Sequence, residues 1–300
     1  MHLPLESVPN FSEGRDQATL DALASSLSAR ARLLDVHADA DHNRSVFTVV
    51  AREADLVEAL LAAIACARER IDLQRHEGAH PRVGAADVVP VVPIRPSDMD
   101  RARGVAASLA ERIGDELALP VFLYGELAPG LGPAYFRTGG LDGLRRRVES
   151  GELTPDFGPG RLDERTGAVL VGARRPLIAL NVNLRGELVA AREIASVVRE
   201  RDGGFPGVRA LGFALRRAGL VQVSMNVEDW EAAGLHELIR TIEREAEIRG
   251  AEVVGAELVG LMPGGAAAAA AGAALRIDGF DASHVLELRL LEEGRETDPD

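Results

Sequence analysis

The sequence contains no lysine, one cysteine and few aromatic residues. All 34 basic residues are therefore arginines, and 47 acidic residues outweigh them to give a formal net charge of −13. A chain this acidic has no general basic face, which argues against broad binding to nucleic acid or to anionic membranes. A small anionic substrate would need a local group of arginines to hold it.

Cys66 is the single cysteine, so no disulfide framework and no cysteine-based zinc site is expected. The amino terminus lacks a basic stretch followed by a long apolar core, and no run reaches the ~18 apolar residues of a membrane-spanning helix. We therefore predict a cytoplasmic protein without a membrane partner. Its 300 residues, 46% of them apolar, suffice for one large or two modest domains.

Hydrophobic periodicity predicts the element order β-α-β-β-α-β twice along the chain. The predicted elements of the first half are 2–8, 12–30 (capped by Ser12), 33–37, 45–51, 54–73 and 86–92. Those of the second half are 177–183, 187–201, 208–215, 221–226, 235–249 and 253–259. This order predicts an α+β fold of two ferredoxin-like subdomains, each an antiparallel sheet with helices on one face. The predicted subdomains are residues 1–176 and 177–292, and a disordered acidic tail follows at 293–300.

A stretch rich in glycine and proline, residues 75–93, in which a loop leads into a predicted strand, holds the most suggestive titratable groups. His76 and His80 stand four apart, Arg82 follows, and Asp87 is the one acid in the apolar run beyond. Such loops often form sites where they lead into a buried strand, although histidines in surface loops are also ordinary. A zinc-dependent hydrolase using both histidines is an alternative, but the loop is not helical and no third ligand pattern lies near. No metal is therefore expected.

Polar residues alternate along two predicted strands of the second half. Asn181 and Asn183 share one strand face, and Gln222, Ser224 and Asn226 repeat the pattern on another strand, because side chains alternate with period two. A buried asparagine must form hydrogen bonds. These faces therefore either satisfy each other or meet a polar ligand.

Three further segments each have a structural and a functional interpretation. VPNFSEGR at 8–15, with Asn10 and Ser12, is either a capped strand–helix connection or a helix start whose amides face an anion. The loop that ends at Arg44 is either a solvated hairpin or a means of placing this arginine at the sheet rim. DFGPGRLDERTG at 156–167 is either a flexible crossover or a backbone that wraps a flat ligand.

Nine segments carry a resemblance that spans nearly the whole chain. They are VPNFSEGR at 8–15, LLDV at 33–36, NRSVFT at 43–48, GAHPRVGAADVVPVVP at 78–93, PVFLYGE at 120–126, PDFGP at 155–159, GARRPLIALNVNL at 172–184, VQVSMNVED at 221–229 and VVGAELVGLMP at 253–263. Together and in this order they resemble the glutamate formiminotransferase family, the folate-dependent enzymes of histidine degradation.

The resemblance implies two ferredoxin-like subdomains with a substrate cleft between them, a homodimer, and His80 as the catalytic general acid and base. It implies transfer of a formimino group from N-formimino-L-glutamate to N5 of tetrahydrofolate, which acts as co-substrate. Our candidates for binding formiminoglutamate are Asn10, Ser12, Arg44, Arg82, Arg174, Asn181, Asn183 and Asn226. Our candidates for binding folate are Tyr124, Asp156, Gly158, Pro159, Gly160, Thr166 and Gly167.

The chain departs from the family pattern at two places. His37 stands where relatives look acidic, so Asp39 or Asp41 would have to take that role, and the loop at 161–165 is unusually charged. Two alternatives follow: another folate-dependent one-carbon transferase with a formyl or formiminoglycine donor, or a catalytically weakened folate-binding homologue. Bifunctional family members continue into a cyclodeaminase domain, and the chain is expected to end before one.

Overall fold

A computed structural model describes residues 3–215 and 218–290. The chain divides into an amino-terminal unit that ends at Arg175 and a carboxy-terminal unit that begins at Pro176. Each unit combines a β-sheet with helices, so the α+β class is confirmed. No helix among the described residues is both long and apolar enough to cross a membrane. The predicted tail at 293–300 lies outside the described residues.

The amino-terminal unit contains seven strands and five α-helices among its described residues. In chain order these are β1 (Leu5–Ser7), β2 (Asn10–Phe11), α1 (Gln17–Ser28), β3 (Arg32–Asp39), β4 (Arg44–Ala51), α2 (Glu53–Arg70), β5 (Ala86–Pro93), α3 (Met99–Leu117), β6 (Val121–Gly125), α4 (Pro133–Phe136), α5 (Gly140–Glu149) and β7 (Val169–Ala173). The short β1 and β2 both lie between β4 and β5 and pair antiparallel with each. Strand β3 pairs with the other side of β4.

The prediction of a purely antiparallel sheet with helices on one face is wrong for this unit. Strand β7 pairs parallel with β5 and with β6, which is possible because the connections between these strands are long enough for crossovers. Val89 and Val171 pack with α1, α2 and α3 on one face. Val88 and Leu170 pack with α4 and α5 on the other, as both faces of parallel strands are usually covered.

Helix α1 begins later than the sequence pattern predicts. Asp16 is its N-cap and accepts a hydrogen bond from the backbone of Ala18, and its carboxylate also accepts from the hydroxyl of Thr19 at 2.6 Å. The predicted cap, Ser12, instead donates its hydroxyl to the carbonyl of Gly84 at 2.7 Å. Aspartate and serine cap equally well. The long-range bond to the strand β5 region therefore decides the position of Ser12, and that bond is invisible in the local sequence.

Among its described residues, the carboxy-terminal unit has the predicted β-α-β-β-α-β order, and helix α8 follows it. Its elements are β8 (Ile178–Arg185), α6 (Leu188–Val198), β9 (Val208–Leu215), β10 (Leu220–Val227), α7 (Leu235–Ile248), β11 (Glu252–Val259) and α8 (Gly264–Leu275). The sheet order is β11-β8-β10-β9, and every pairing is antiparallel. Alternate residues of β8 and β10 pack against α6 and α7, which leaves the polar residues of both strands on the opposite face.

Candidate active site

The loop between α2 and β5 is held in shape by its own side chains. The Arg82 Nη2 donates to the carbonyls of Gly78 at 2.8 Å and His80 at 2.6 Å. The His76 Nε2 lies 2.8 Å from the Asn43 carbonyl, which can only accept, so this nitrogen carries a proton. The contacts made by His76 and Arg82 thus fix the loop that carries His80.

A carbonyl contact fixes the tautomer of His80. Its Nδ1 lies 2.7 Å from the carbonyl oxygen of Pro81, and a carbonyl can only accept a hydrogen bond. Nδ1 therefore carries the proton, and the lone pair of the neutral ring is on Nε2. The Arg44 Nη1 lies 3.1 Å from the same Nδ1. Since both nitrogens carry protons, they cannot bond to each other, and Arg44 acts on His80 through its positive charge. Such a ring can accept a proton at Nε2.

Arg44, the first residue of β4, connects His80 to two other segments. Its Nη1 donates to the Asp87 Oδ2 at 2.8 Å, and its Nη2 donates to the Asn10 Oδ1 at 2.7 Å. The Asn10 Nδ2 donates in turn to the carbonyl of Val8 at 2.6 Å. Three of the predicted site residues, Asn10, Arg44 and His80, are thus brought together.

Asp87 binds a second arginine that sequence reasoning missed. Its side chain is fully buried, its Oδ1 accepts from the Val83 backbone at 2.7 Å, and its Oδ2 accepts from Arg44 and from the Arg137 Nη2 at 2.5 Å. A lone acid in an apolar strand was a usable signal for Asp87, since unpaired acids are almost never buried. Arg137, which follows α4, gave no such signal. We call Asn10, Arg44, His80, Asp87 and Arg137 the His80 cluster.

Burial and charge together set the protonation states in the His80 cluster. Burial lowers the pKa of His80 well below its usual value, and the charges of Arg44 and Arg137 lower it further. Burial alone would raise the pKa of Asp87, but the two arginines outweigh burial and hold it below its usual value. Burial lowers the pKa of Arg44 only to about 10. At neutral pH the cluster therefore holds a neutral imidazole, two cations and one anion.

The hairpin between β3 and β4 lies against the cluster. The His42 ring stands edge-on to His80 with centroids 5.9 Å apart. Asn43 adopts a left-handed conformation with φ 46° and accepts a bond from Gly14 at 2.9 Å through its side chain. Asp39, one suggested substitute for the missing acid, accepts from the His42 backbone at 2.7 Å and so shapes the hairpin.

The amides predicted to face an anion at the start of α1 are already occupied. The Glu13 Oε1 accepts from the backbone N–H groups of Gly14 at 2.9 Å, Arg15 at 2.7 Å and Asp16 at 2.9 Å. The chain's own carboxylate therefore takes the place proposed for a ligand. This arrangement favours the connection interpretation of residues 8–15.

The predicted folate segment has structural roles in the amino-terminal unit. The Asp156 Oδ2 accepts from the backbone of Leu123 at 2.8 Å. Gly158 and Gly167 have φ of 80° and 69°, and a Cβ on either would lie 2.1 Å from a carbonyl oxygen, so both positions require glycine. Thr166 donates its hydroxyl to Asp163 at 3.0 Å. Around Gly160, by contrast, a Cβ would meet no atom within 4 Å, and Pro159 beside it is half-buried.

Tyr124 and Arg174 lie at the ends of the parallel strands β6 and β7. Tyr124 is buried, and burial raises the pKa of its hydroxyl to about 12 against the opposing charges of Arg174 and Arg137. The Arg174 Nη1 donates to the carbonyl of Arg175 at 2.9 Å.

The polar residues of β8 and β10 form one surface, which we call the amide face: Asn181, Asn183, Gln222, Ser224 and Asn226. Strand register places Asn183 opposite Gln222 and Asn181 opposite Ser224. The Gln222 Nε2 donates to the Asn183 Oδ1 at 2.9 Å, so part of this face satisfies itself. Asn181 and Gln222 are buried, whereas Asn226 is exposed.

Comparison with known proteins shows what kind of molecule combines this fold and site. Two sequence models match the chain: "Formiminotransferase domain, N-terminal subdomain" over residues 4–174 and "Formiminotransferase domain" over residues 179–278. The chain is therefore an enzyme of the transferase class. It belongs to the formiminotransferase family, and the resemblance predicted from its motifs is confirmed.

Full-length relatives support the same assignment. The chain is 36% identical to the glutamate formimidoyltransferase of Thermoplasma acidophilum over 294 residues, which cover 95% of this chain and 97% of that protein. It is 37% identical to that of Streptococcus pyogenes over 294 residues, covering 96% and 98%. It is 40% identical to the formimidoyltransferase-cyclodeaminase of Sus scrofa over 255 residues, which are 81% of this chain and 47% of that protein.

Proposed function

We propose that the protein transfers the formimino group of N-formimino-L-glutamate to N5 of tetrahydrofolate, giving 5-formiminotetrahydrofolate and L-glutamate. Two relatives that it matches over nearly their whole length are named glutamate formimidoyltransferase. One observation carries the chemical part of the proposal. The Pro81 carbonyl holds the proton on Nδ1 of His80, so Nε2 carries the lone pair that a general base needs.

In the proposed mechanism, N5 attacks the amidine carbon and His80 moves the proton. A carbon–nitrogen bond forms to N5, the N5 proton passes to Nε2, and a tetrahedral intermediate results. His80 then returns the proton to the glutamate nitrogen as its bond to the carbon breaks. The lowered pKa of His80 is compatible with both steps. N5 becomes acidic once it has bonded to the amidine carbon, so a weakly basic imidazole can take its proton, and the resulting imidazolium gives that proton back readily.

The binding assignments follow the charges and polar groups of the two units. Arg44, Arg82 and Arg174 are proposed to bind carboxylates of formiminoglutamate or folate, as arginine pairs with them through two bonds. Asn10, Ser12 and the asparagines of the amide face are proposed to bind polar substrate atoms. The proposed folate contacts are Tyr124, Asp156, Gly158, Pro159, Gly160, Thr166 and Gly167, and the open surroundings of Gly160 support them.

We further propose that each unit has a ferredoxin-like core. The core sheet of the amino-terminal unit has the order β3-β4-β1/β2-β5, and the sheet of the carboxy-terminal unit has the order β9-β10-β8-β11. In each order the strand that comes first in the chain, β1/β2 or β8, lies between the third and the fourth core strands. A split β-α-β-β-α-β sandwich has this arrangement. On this proposal, β6 and β7 are additions to the first core, the subdomain boundary falls at 176/177, and the protein is a cytoplasmic homodimer that needs no metal.

The test is release of L-glutamate from N-formimino-L-glutamate, measured by a coupled assay with and without tetrahydrofolate. We expect release only when both substrates are present. Release without folate would indicate a hydrolase, and metal analysis of the purified protein would then examine the two-histidine zinc alternative. N-formyl-L-glutamate and N-formiminoglycine serve as matched donors. Faster transfer from either would replace the proposed donor, and folate binding without transfer would indicate a weakened homologue.

A further inference from the structure

The His80 cluster carries a net charge of one positive unit. Arg44 and Arg137 both donate to the same oxygen of Asp87, at 2.8 and 2.5 Å, while His80 is neutral. Two guanidinium groups thus share one carboxylate, although their mutual repulsion disfavours the pair. An additional anion beside them would balance the charge.

Arg137 also holds a donor that its structural role does not explain. A role limited to tying α4 to the sheet is fulfilled by the bond from Nη2 to Asp87. The Nε of Arg137 is nevertheless buried and has no hydrogen-bond partner among the described residues. A buried donor without an acceptor calls for an explanation, and a bound anion would supply one. The side chain as a whole is 16% exposed, although Nε itself is covered.

We propose that Arg137, together with Arg44, binds the α-carboxylate of the donor and so selects an N-formimino amino acid. This inference rests on the proposed function. The α-carboxylate is the anion closest to the reacting amidine, since both are attached to one nitrogen–carbon unit. Arg44 contacts the His80 ring, so a carboxylate bound by the two arginines lies beside the group that moves the proton. Binding and proton transfer are thereby set in one place.

The test is a thermodynamic cycle between the arginine and the carboxylate. N-formimino-L-isoglutamine and N-formimino-L-glutamine each replace one carboxylate, α or γ respectively, by a neutral amide. We expect Arg137→Gln to lower kcat/KM for formiminoglutamate roughly 10- to 150-fold, the effect of losing hydrogen bonds to a charged group. Replacing the α-carboxylate by an amide should lower kcat/KM little further in this variant. Replacing the γ-carboxylate should lower kcat/KM by the same factor in the variant as in the wild type.

The proposal would be overturned if the α-amide donor lowered kcat/KM by the same factor in the variant as in the wild type. If only the γ-amide donor showed a reduced effect in the variant, the choice of the α-carboxylate would be overturned. Arg137→Lys keeps the charge near Asp87 and is measured in parallel in case the glutamine variant folds poorly; it should show a smaller loss. Arg146→Gln, at an exposed arginine of α5, is the matched control and should behave as wild type.

Failure of the proposed function is distinguishable from failure of this inference. If the wild-type protein does not use formiminoglutamate, the proposed function fails. Calorimetric titration of wild type and Arg137→Gln with L-glutamate and L-isoglutamine then tests the carboxylate site by itself. A preference for L-glutamate that disappears in the variant supports the site, and equal binding of both ligands by the wild type removes it.

Discussion

The His80 cluster and the amide face are two polar sites built in different ways. The cluster joins residues from five separate segments, with two arginines bonded to one buried carboxylate, Asp87. The amide face joins neutral side chains from two adjacent antiparallel strands, with Asn183 and Gln222 bonded across the pair. Charges are costly to bury unless each has a partner, whereas amides can satisfy one another. The proposed function gives the cluster the chemistry and the face a part in recognition.

The largest expected effect is that of removing the proton carrier. His80→Ala should lower kcat by about 10²- to 10⁴-fold, the usual contribution of general acid–base catalysis, while folate affinity changes little. Steady-state kinetics and calorimetric titration with folate measure the two quantities. His236→Ala, on α7, is the control outside both sites. Activity of the His80 variant within a few-fold of wild type would remove His80 from the mechanism and turn attention to His76 or His37.

The second effect concerns stability and separates buried charges from buried amides. Asp87→Asn keeps the size of the side chain but leaves two partly buried arginines without their anion, so the free energy of unfolding should fall by ~3–5 kcal/mol. Urea unfolding measures it. Asp100→Asn breaks an ion pair whose carboxylate is 90% exposed and should cost under ~1 kcal/mol. Equal costs at both positions would contradict the role given to Asp87.

The third effect tests whether the amide face binds ligand. Asn183→Leu removes one hydrogen-bond partner of Gln222 and any polar group that position 183 offers a ligand, with little change in volume. We expect an affinity for formiminoglutamate or folate about 5- to 150-fold weaker, the cost of ~1–3 kcal/mol for an unpaired polar group. Titration calorimetry is paired with the melting temperature. A lower melting temperature with unchanged affinity for both ligands would show that this asparagine serves only the sheet.

The smallest effect is a pH dependence that the cluster has and the amide face lacks. The pKa of His80 lies well below the value of ~6.5 expected in the unfolded chain, so below that pH only the unfolded chain takes up the proton. Stability is therefore fully present above pH ~6.5 and falls as the pH drops, by up to ~1.4 kcal/mol per unit. Unfolding at pH 8.0, 6.5 and 5.5 should show a shallower dependence for His80→Gln, and an identical dependence would refute the assignment.

Asp87 adds a second loss at lower pH with the same sign. Its pKa is held below the unfolded value, so its contribution is present above pH ~4 and is lost as the pH falls through the lowered native value. The loss from His80 therefore begins at a higher pH than the loss from Asp87. The amide face holds no titratable group among its five residues and should show neither.

Local patterns in the sequence determined the repeated β-α-β-β-α-β order, the alternation that puts Asn181 and Asn183 on one strand face, and the motif that singles out His80. The first two features depend on the period of side chains along a strand or helix, which the chain itself displays, and the third depends on resemblance to a family motif. The strands of the carboxy-terminal sheet were predicted from the same side-chain period. Alternation along each strand assigns its residues to two faces, and all of the strands pair antiparallel.

Only the tertiary structure decided the parallel pairing of β7 between β5 and β6, the bond that withdraws Ser12 from the cap of α1, and the meeting of Arg137 with Asp87. Each depends on residues at least 40 positions apart in the chain, whose approach follows from how the sheet and helices pack. A buried carboxylate takes whichever cations the fold brings within reach, and no local pattern specifies which these are. The identity of the residues around His80 is therefore a property of the packed molecule.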